Sequence, residues 1–297
     1  MANISFLGLG KMGLAMASHL LERGHQLNLY NRTLSRADTL VRKGARLFGT
    51  PREACNGAGI IISMVADDKA SQEIWCGSDG ALAADLGQDA FAIECSTLSH
   101  AWVKDLSTRC LAGGLRYIDA PVTGLPDNAG SGKLTLLVGA SQHDLDAIGP
   151  VLAELSAQIL RFGPVGAGTV YKLIINLLGA VQIASAAESL ALAERAGLDM
   201  KVVAEAIGIS QAASPQVVRN VRRMIAADPD QNIVFTSALR QKDVDYGLRL
   251  ARELGIGAPF GTVAGSIYRR LCDLGRGQVN ESSVIEVLRA QPAKTQE

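Results

Sequence analysis

Short apolar runs alternate with segments of helical periodicity in the first half of the chain. The runs have the length and composition of strands, and most of the segments between them place apolar residues on one face at a helical period. The predicted strands are residues 4–7, 26–30, 60–64, 90–95, 116–120, 134–138 and 158–162, and the predicted helices are 12–21, 35–43, 99–112 and 144–155. This β-α-β order predicts a mainly parallel sheet with helices on both faces.

The pattern changes after residue 166, and from Thr169 onward the chain shows only helical periodicity. Asp199 is a predicted N-cap, and Gly197 and Gly255 stand where C-caps belong. The predicted helices of this half are residues 170–196, 200–209, 216–226, 237–254, 258–274 and 282–288. The sequence therefore predicts an α/β domain over residues 1–164 and an all-helical domain over 165–297.

Composition excludes several classes of protein. Hydrophobic residues make up 48% and charged residues 20% of the 297 positions, which predicts well-formed cores. The 29 basic and 29 acidic side chains give a formal net charge of +0, and without a basic stripe no nucleic acid is expected as a partner. Residues 170–192 are strongly apolar but carry Lys172, Asn176, Gln182 and Glu188, which favours a buried helix over a membrane span.

The cysteines and the N-terminal residues indicate in which cellular compartment the protein is expected. The five cysteines form no C-x-x-C pair, which favours free thiols in a reducing environment. The N-terminal residues do not resemble a signal peptide. We therefore expect a cytoplasmic protein. The four histidines are isolated and lack metal-ligand spacing, so no metal is expected.

The strongest chemical signal is a G-x-G-x-x-G turn between the first predicted strand and the first predicted helix. Gly8 suits a tight turn, Gly10 allows the backbone close to a pyrophosphate, and Gly13 allows close helix–strand packing. The N–H groups at the helix start and its positive dipole end form an anion site. We therefore predict a dinucleotide site that includes Gly8, Leu9, Gly10, Lys11, Met12 and Gly13.

The residues after the second predicted strand bear on which dinucleotide binds. An NAD enzyme usually places an acid there to bind the ribose 2′-hydroxyl, whereas this chain has Asn31, Arg32 and Thr33. A guanidinium can pair bidentately with a 2′-phosphate, which a carboxylate would repel. The sequence therefore favours NADP (as NADPH in the reducing direction) over NAD, and use of both cofactors is compatible with it.

Three further segments, in this order and spacing, complete a family resemblance. They are residues 119–124 (DAPVTG), residues 166–172 (GAGTVYK) followed by Asn176, and residues 242–243 (KD). With the glycine turn, the whole chain resembles the β-hydroxyacid dehydrogenases, the group of 3-hydroxyisobutyrate dehydrogenase and tartronate semialdehyde reductase. The resemblance implies a Rossmann-like domain, a helical domain used to form a homodimer or homotetramer, and reversible hydride transfer between a β-hydroxy acid and its aldehyde.

Lys172 matches the catalytic lysine of that family. An ammonium can hydrogen-bond a carbonyl oxygen and donate its proton as hydride arrives, and an amine takes the proton back in the oxidation. Outside the motif, such a lysine is more often a surface residue. Asn176, one helical turn later, matches an asparagine that holds the substrate; its alternative role is a polar contact between helices.

Thr123 and Gly124 follow a strand end, where α/β folds bind ligands. They match the family's Ser-Gly-Gly, whose hydroxyl and N–H groups receive the substrate carboxylate. Leu125 replaces the second glycine, which restricts the backbone and crowds the acid site, so a sulfonate or a bulkier substrate tail is an alternative. Lys133 stands where the family has a threonine, either as an exposed residue or as part of the anion site.

Further cofactor and substrate residues are implied by the resemblance alone. Ser96 and Thr97 match a Ser-Thr pair beside the nicotinamide ribose, with Ser96 assigned to the substrate and Thr97 to the cofactor. Met64 and Val65 match a loop that covers the adenine-ribose side of the cofactor, and Lys242 matches a lysine that closes over the cofactor. Phe235 matches an aromatic wall of the substrate pocket, although a phenylalanine at a helix start is usually core.

Together these residues predict an NADP-dependent oxidoreductase of small acid-bearing aldehydes or hydroxy acids. Two alternatives remain. An imine reductase shares the glycine turn and the helical domain, but such enzymes usually have Asp or Tyr where this chain has Lys172. A non-catalytic cofactor-binding module would have lost that lysine.

Overall fold

The structure, a computed structural model, describes residues 1–227 and 231–290. The chain divides into two compact units, the first of residues Met1–Lys172 and the second beginning at Leu173. The boundary falls within one long helix that starts in the first unit, whereas the sequence pattern changes just before that helix.

The first unit is built on one sheet, with nine strands among the described residues. The first six strands in sheet order, β3-β2-β1-β4-β5-β6, are parallel; β8 runs antiparallel to β6 and β7, and β9 pairs parallel with β8. The chain leaves β1 for β2 on one side and returns to β4 on the other, which creates a topological switch point beside β1. The strands are β1 (Asn3–Leu7), β2 (Gln26–Tyr30), β3 (Arg46–Leu47), β4 (Ile60–Ser63), β5 (Phe91–Glu94), β6 (Arg116–Asp119), β7 (Val122–Thr123), β8 (Leu134–Gly139) and β9 (Ser156–Gly163).

Helices connect these strands. They are α1 (Lys11–Glu22), α2 (Asp38–Arg42), α3 (Pro51–Cys55), α4 (Asp68–Cys76), α5 (His100–Ala112), α6 (Pro126–Gly130) and α7 (Gln142–Leu155). Alternate residues of the central strands face opposite sides of the sheet, so Ile60 and Ile62 of β4 join one apolar core and Ile61 joins the other. Both faces are therefore buried, as a parallel sheet requires.

The second unit is helical in its described part, apart from one β-bridge between Thr236 and Asn280. It continues α8 (Ala167–Arg195) and adds α9 (Met200–Ile209), α10 (Pro215–Ala226), α11 (Ser237–Glu253), α12 (Pro259–Leu271) and α13 (Val284–Arg289). The side chain of Asp199 caps α9, and Gly197 and Gly255 have φ values of 73° and 70° after α8 and α11. The predicted caps are confirmed.

Several short strands and helices of the structure are not predicted by the sequence pattern. β3 and β7 have two residues each, too few to show any alternation. The helices α3 and α6 have five residues each, and the nine-residue helix α4 is largely polar. The predicted helix 35–43 is a 3-10 turn (Leu34–Ala37) followed by α2, and the predicted helix 258–274 changes to a π-turn (Cys272–Arg276) in which Gly275 has a φ of 77°.

The helix α8 is apolar along its length. Among the described residues it is the one helix long and apolar enough to cross a membrane by those two criteria, and 44% of its most apolar window is buried in the chain. Leu173, Ala180, Ile183 and Leu190 are buried, whereas Ile174, Leu178 and Leu192 are at least half exposed. Core helices of soluble proteins meet the same criteria, so its composition is weak evidence for a membrane span.

Candidate functional site

The glycine turn is tightly packed at two of its three glycines. Gly8 has a φ of 99°, and a Cβ there would lie 2.4 Å from the carbonyl oxygen of Met64. A Cβ on Gly13 would lie 2.0 Å from the carbonyl oxygen of Gly8. A side chain at Gly10, in contrast, would point into open space with no atom within 4 Å. The turn therefore has an open side at Gly10, where a phosphate can approach the backbone.

The start of α1 presents its backbone N–H groups at this turn. Gly10 is the N-cap residue of this twelve-residue helix and makes no side-chain cap hydrogen bond, so no N-cap side chain covers the first turn. Lys11 is exposed and Met12 is half-buried on the first turn. A diphosphate fits these residues, because the helix N-terminus combines N–H donors with a positive dipole end.

Asn31 links the glycine turn to the loop after β2. Its Oδ1 accepts a hydrogen bond from the Leu9 N–H at 2.8 Å, and its Nδ2 donates to the Thr33 carbonyl at 2.8 Å. Asn31 is buried, whereas Arg32 and Thr33 are exposed. The predicted phosphate turn and the predicted ribose loop are therefore fixed to each other, with the Arg32 guanidinium on the solvent side.

Tyr30 precedes this loop, and nearby charges affect the pKa of its hydroxyl. Its pKa is raised by burial and by the carboxylate of Glu73, and the positive charge of Arg32 opposes that shift. Arg32 thus carries its charge beside the end of β2, the position at which a 2′-phosphate would be read.

The loops after β4 and β5 contact each other. Ser96 is 1% exposed, and its Oγ accepts a hydrogen bond from the Val65 N–H at 2.7 Å. Met64, Val65 and Thr97 are half-buried. The structure therefore brings Val65 and Ser96 together; the Ser96 hydroxyl has this backbone partner, and its predicted contact with substrate stays a prediction.

The predicted acid-binding loop has a local structure of its own. Thr123 and Gly124 are exposed, and Gly124 has a φ of 132° with the Leu134 side chain only 2.9 Å from where its Cβ would lie. The half-buried Leu125 is the N-cap residue of α6, and its N–H donates to Asn128 Oδ1 at 2.9 Å. That N–H is thus engaged within the chain, whereas Thr123 and Gly124 are exposed to solvent.

A buried carboxylate anchors the start of α8, which carries Lys172. Asp119 is 0% exposed; its Oδ1 accepts from the Gly166 N–H at 2.6 Å and its Oδ2 from the Thr169 N–H at 2.7 Å. Burial raises the pKa of Asp119, and the two N–H bonds oppose that rise. Lys172 is half-buried on the second turn of α8. The end of β6 thereby sets the position of the helix segment that carries the lysine.

In the second unit, Asn176 is brought together with the predicted Lys-Asp pair. The Asn176 Nδ2 donates to Asp243 Oδ2 at 2.6 Å, and Lys242 Nζ lies 3.0 Å from Asp243 Oδ1. Because a carboxylate can only accept, the Asn176 amide is oriented with Nδ2 toward Asp243. Its Oδ1 is the group left for a hydroxyl donor.

A buried ion pair supports the same segment of α8. Arg240, 5% exposed, donates through Nε to Glu281 Oε2 at 2.7 Å and through a terminal nitrogen to the Asn176 carbonyl at 3.0 Å. The Arg240 guanidinium carbon lies 4.8 Å from the centre of the Phe235 ring. Phe235 therefore has a cation–π partner within its own unit, and the substrate and cofactor roles expected of Phe235 and Lys242 stay predictions.

Sequence reasoning gave no role to Glu94, Asp119, Arg240 or Glu281. A signal existed for the first two, because each is an acidic residue that ends an apolar strand and would be buried there. Their partners lie far away in sequence, which no local pattern indicates. Among the described residues, no group of three His, Cys, Asp or Glu side chains is arranged so that it could hold a metal ion.

Two family models together match most of the chain. Residues 3–163 match the family model described as the NAD binding domain of 6-phosphogluconate dehydrogenase. Residues 166–288 match the model described as NAD-binding of NADP-dependent 3-hydroxyisobutyrate dehydrogenase.

Individual relatives extend over nearly the whole chain. An NAD-dependent L-serine dehydrogenase of Pseudomonas aeruginosa is 32% identical over 97% of this chain and 98% of its own length. The mitochondrial 3-hydroxyisobutyrate dehydrogenase of Drosophila melanogaster is 31% identical over 97% of this chain and 90% of its own. The structure of Mycobacterium tuberculosis 3-hydroxyisobutyrate dehydrogenase with L-serine is 27% identical and covers 98% of this chain and 100% of its own, with a TM-score of 0.87.

A mainly parallel sheet with a glycine turn at its switch point, followed by a helical unit and matched by these two family models, defines an oxidoreductase that uses NAD or NADP. Within that class, the two family models and the full-length relatives show that the chain belongs to the β-hydroxyacid dehydrogenase family. The resemblance stated from the sequence motifs is confirmed.

Proposed function

We propose that the protein is an NADP-dependent oxidoreductase that interconverts a small β-hydroxy acid and its semialdehyde, with Lys172 as the general acid and base. The observation that carries this proposal is the position of Lys172. It lies on the second turn of a helix whose start is anchored by Asp119 to the strand preceding Thr123. A proton donor and an anion-binding loop are thus built around one strand end.

The proposed mechanism assigns the proton to Lys172. A nicotinamide cofactor held at the glycine turn and the loop after β2 would supply the hydride for reduction and accept it in oxidation. In reduction, the Lys172 ammonium hydrogen-bonds the carbonyl oxygen and transfers a proton to it as negative charge develops there. In oxidation, the neutral amine takes the hydroxyl proton. Asn176, one turn further along α8, has Oδ1 available to a hydroxyl donor of the substrate because Asp243 accepts from its Nδ2.

NADP preference is proposed from the loop after β2. The loop presents the exposed Arg32 and the hydroxyl of Thr33, and it has no carboxylate next to β2. A planar guanidinium recognises a phosphate through paired hydrogen bonds.

The substrate's acid group is proposed to bind at Thr123 and Gly124. Since the Leu125 N–H is donated to Asn128, it is not available to the acid group of the substrate. A carboxylate or a sulfonate can accept from the Thr123 hydroxyl and the Gly124 N–H.

The test is oxidation of NADPH against a panel of aldehydes. We expect turnover with a carboxylated or sulfonated semialdehyde, and a loss of about a hundredfold in kcat/KM with the matched aldehyde that lacks the acid group, because the anion site would be left unpaired. Turnover of a cyclic imine with no aldehyde activity would instead favour an imine reductase. Binding of NADPH without any turnover would favour a non-catalytic module.

We also propose that the helical unit pairs with a second copy in a cytoplasmic homodimer or homotetramer. Large apolar side chains are exposed on that unit, including Phe260 at 77% and Val263 at 61% on α12 and Leu192 at 67% on α8. Exposed apolar faces of this kind are typical of interaction surfaces. Sedimentation at micromolar protein concentration should give twice or four times the 31.2 kDa chain mass, and a monomer would contradict the proposal.

A further inference from the structure

The strands β7 and β8 place two hydroxyl side chains on one face of the sheet. In this antiparallel pair, Thr123 lies opposite Thr135 and Val122 lies opposite Leu136. Directly opposite residues of such a pair share a face, and Val122 and Leu136 are both buried in one apolar core. The Thr123 and Thr135 side chains therefore lie on the other face of these strands.

The helix α8, which carries Lys172, begins on that same face. Asp119 of β6 pairs with Gly139 of β8, and a Cβ on Gly139 would overlap Asp119 Oδ1 and lie 2.9 Å from the Ala167 nitrogen. Gly139 and Thr135 are separated by an even number of positions along β8, so they share a face. The start of α8 and the two threonines thus lie on one side of the same strand.

Lys133 immediately precedes β8 and continues its alternation. It stands two residues before Thr135, and its N–H donates to the Asn128 carbonyl at 2.8 Å, which fixes the backbone at this position. Leu134, the next residue, is buried in the core on the opposite face. The alternation therefore places the Lys133 side chain on the threonine side of the strand.

Lys133 carries a positive charge that no carboxylate of the described residues neutralises through an ion pair. Its side chain is exposed, as is that of Thr123. Diagonal neighbours on one face of an antiparallel pair are about 7–8 Å apart, which is within reach of a long side chain. Since Lys133 and Thr123 are such neighbours, the Lys133 ammonium can reach an anion that is bound at the Thr123 hydroxyl.

We propose that Lys133 is a specificity-determining residue that pairs with the acid group of the substrate. The proposal rests on the acid site proposed above at Thr123 and Gly124. An ammonium is a compact point charge with three donors, so it does not select the planar shape of a carboxylate. It admits a sulfonate or a phosphonate as well as a carboxylate, it disfavours neutral aldehydes, and it pairs most strongly with the group of highest negative charge.

Rates of NADPH oxidation with four matched aldehydes test the proposal. Propanal, 3-oxopropanoate, sulfoacetaldehyde and phosphonoacetaldehyde share the same aldehyde and methylene group and end in a methyl, a carboxylate, a sulfonate and a phosphonate. At about pH 8 the phosphonate is close to doubly ionised. We expect Lys133→Gln to lower kcat/KM by about fivefold for the carboxylate and the sulfonate and by about tenfold or more for the phosphonate. The loss should come from KM, because the charge binds the acid group and does not transfer the proton.

Two further variants separate pairing at Lys133 from other effects of charge. Lys133→Arg keeps the charge and should retain the order of the four aldehydes. Lys201→Gln makes the same change of net charge at an exposed lysine of α9 and should leave every rate within about twofold of the parent. The losses in Lys133→Gln should also shrink as salt is raised, since the paired groups are exposed.

The proposal is wrong if propanal loses as much kcat/KM as the three anions in Lys133→Gln, if the anions lose nothing, or if Lys201→Gln shows the same losses. If the parent reduces none of the aldehydes, the proposed function fails and binding decides the role of Lys133. Calorimetric titration of the NADP⁺ complex with phosphonoacetate should then give an affinity about tenfold higher for the parent than for Lys133→Gln. Equal affinities, or no binding by the parent, would refute the role.

Discussion

Replacing Lys172 with alanine is expected to lower kcat by about two to four powers of ten, because the alkoxide formed in reduction would lose its proton donor. The Kd for NADPH should stay within about threefold of the parent, since the predicted cofactor contacts lie at the glycine turn and the loops after β2, β4 and β5. Stopped-flow kinetics with a semialdehyde, together with an NADPH titration, measure the two quantities separately.

A matched control is Lys201→Ala, which removes an exposed lysine from the first turn of α9. It should behave as the parent in both measurements. Parental kcat in the Lys172 variant would remove that residue from the mechanism, and a comparable loss of NADPH affinity would assign it to cofactor binding instead.

Arg32→Asp is expected to lower the ratio of kcat/KM with NADPH to kcat/KM with NADH by about a hundredfold or more. A charge-assisted hydrogen bond contributes about 1.5–3 kcal/mol, and a carboxylate in its place adds repulsion toward the 2′-phosphate. NADH lacks that phosphate, so its kcat/KM should change little. Initial rates with both cofactors at one ionic strength give the ratio directly.

Arg36→Asp provides the control for that prediction. Arg36 is exposed on the 3-10 turn that follows this loop, and its replacement makes the same change of charge four residues away from Arg32. Its effect should be small if the preference depends on direct pairing at Arg32. Equal losses in the two variants would show that the preference comes from the general positive potential of the loop.

The long elements of the fold could be predicted from the sequence for a simple reason. Strand β2 and helix α9 were placed at their observed bounds because both have a full period of apolar residues between clear end signals. The elements β3 and β7 could not be found this way. Each is two residues long and exists because a neighbouring strand supplies the hydrogen bonds, as β8 does for Val122 and Thr123.

The candidate site divides along the same line. The glycine turn and the loop at Asn31 and Arg32 could be predicted because each is defined by a few adjacent residues. The additional function of Asn31 was not, since its bond to the Leu9 N–H joins residues 22 positions apart. Likewise, Glu94 and Asp119 act on groups that only the folded sheet brings near them, 23 and 50 positions away in the cases of Ser71 and Thr169.

The attachment of α8 to β6 also limits how Lys172 can move. Rotation of the first turn of α8 would break the hydrogen bonds that Asp119 accepts from the Gly166 and Thr169 N–H groups. Because Asp119 is fully buried, water could not replace them. In the proposed mechanism, delivery and recovery of the proton would then depend on torsions of the lysine's own four-carbon side chain. The backbone at the start of α8 is therefore fixed, and only the side chain of Lys172 can change the position of its amine.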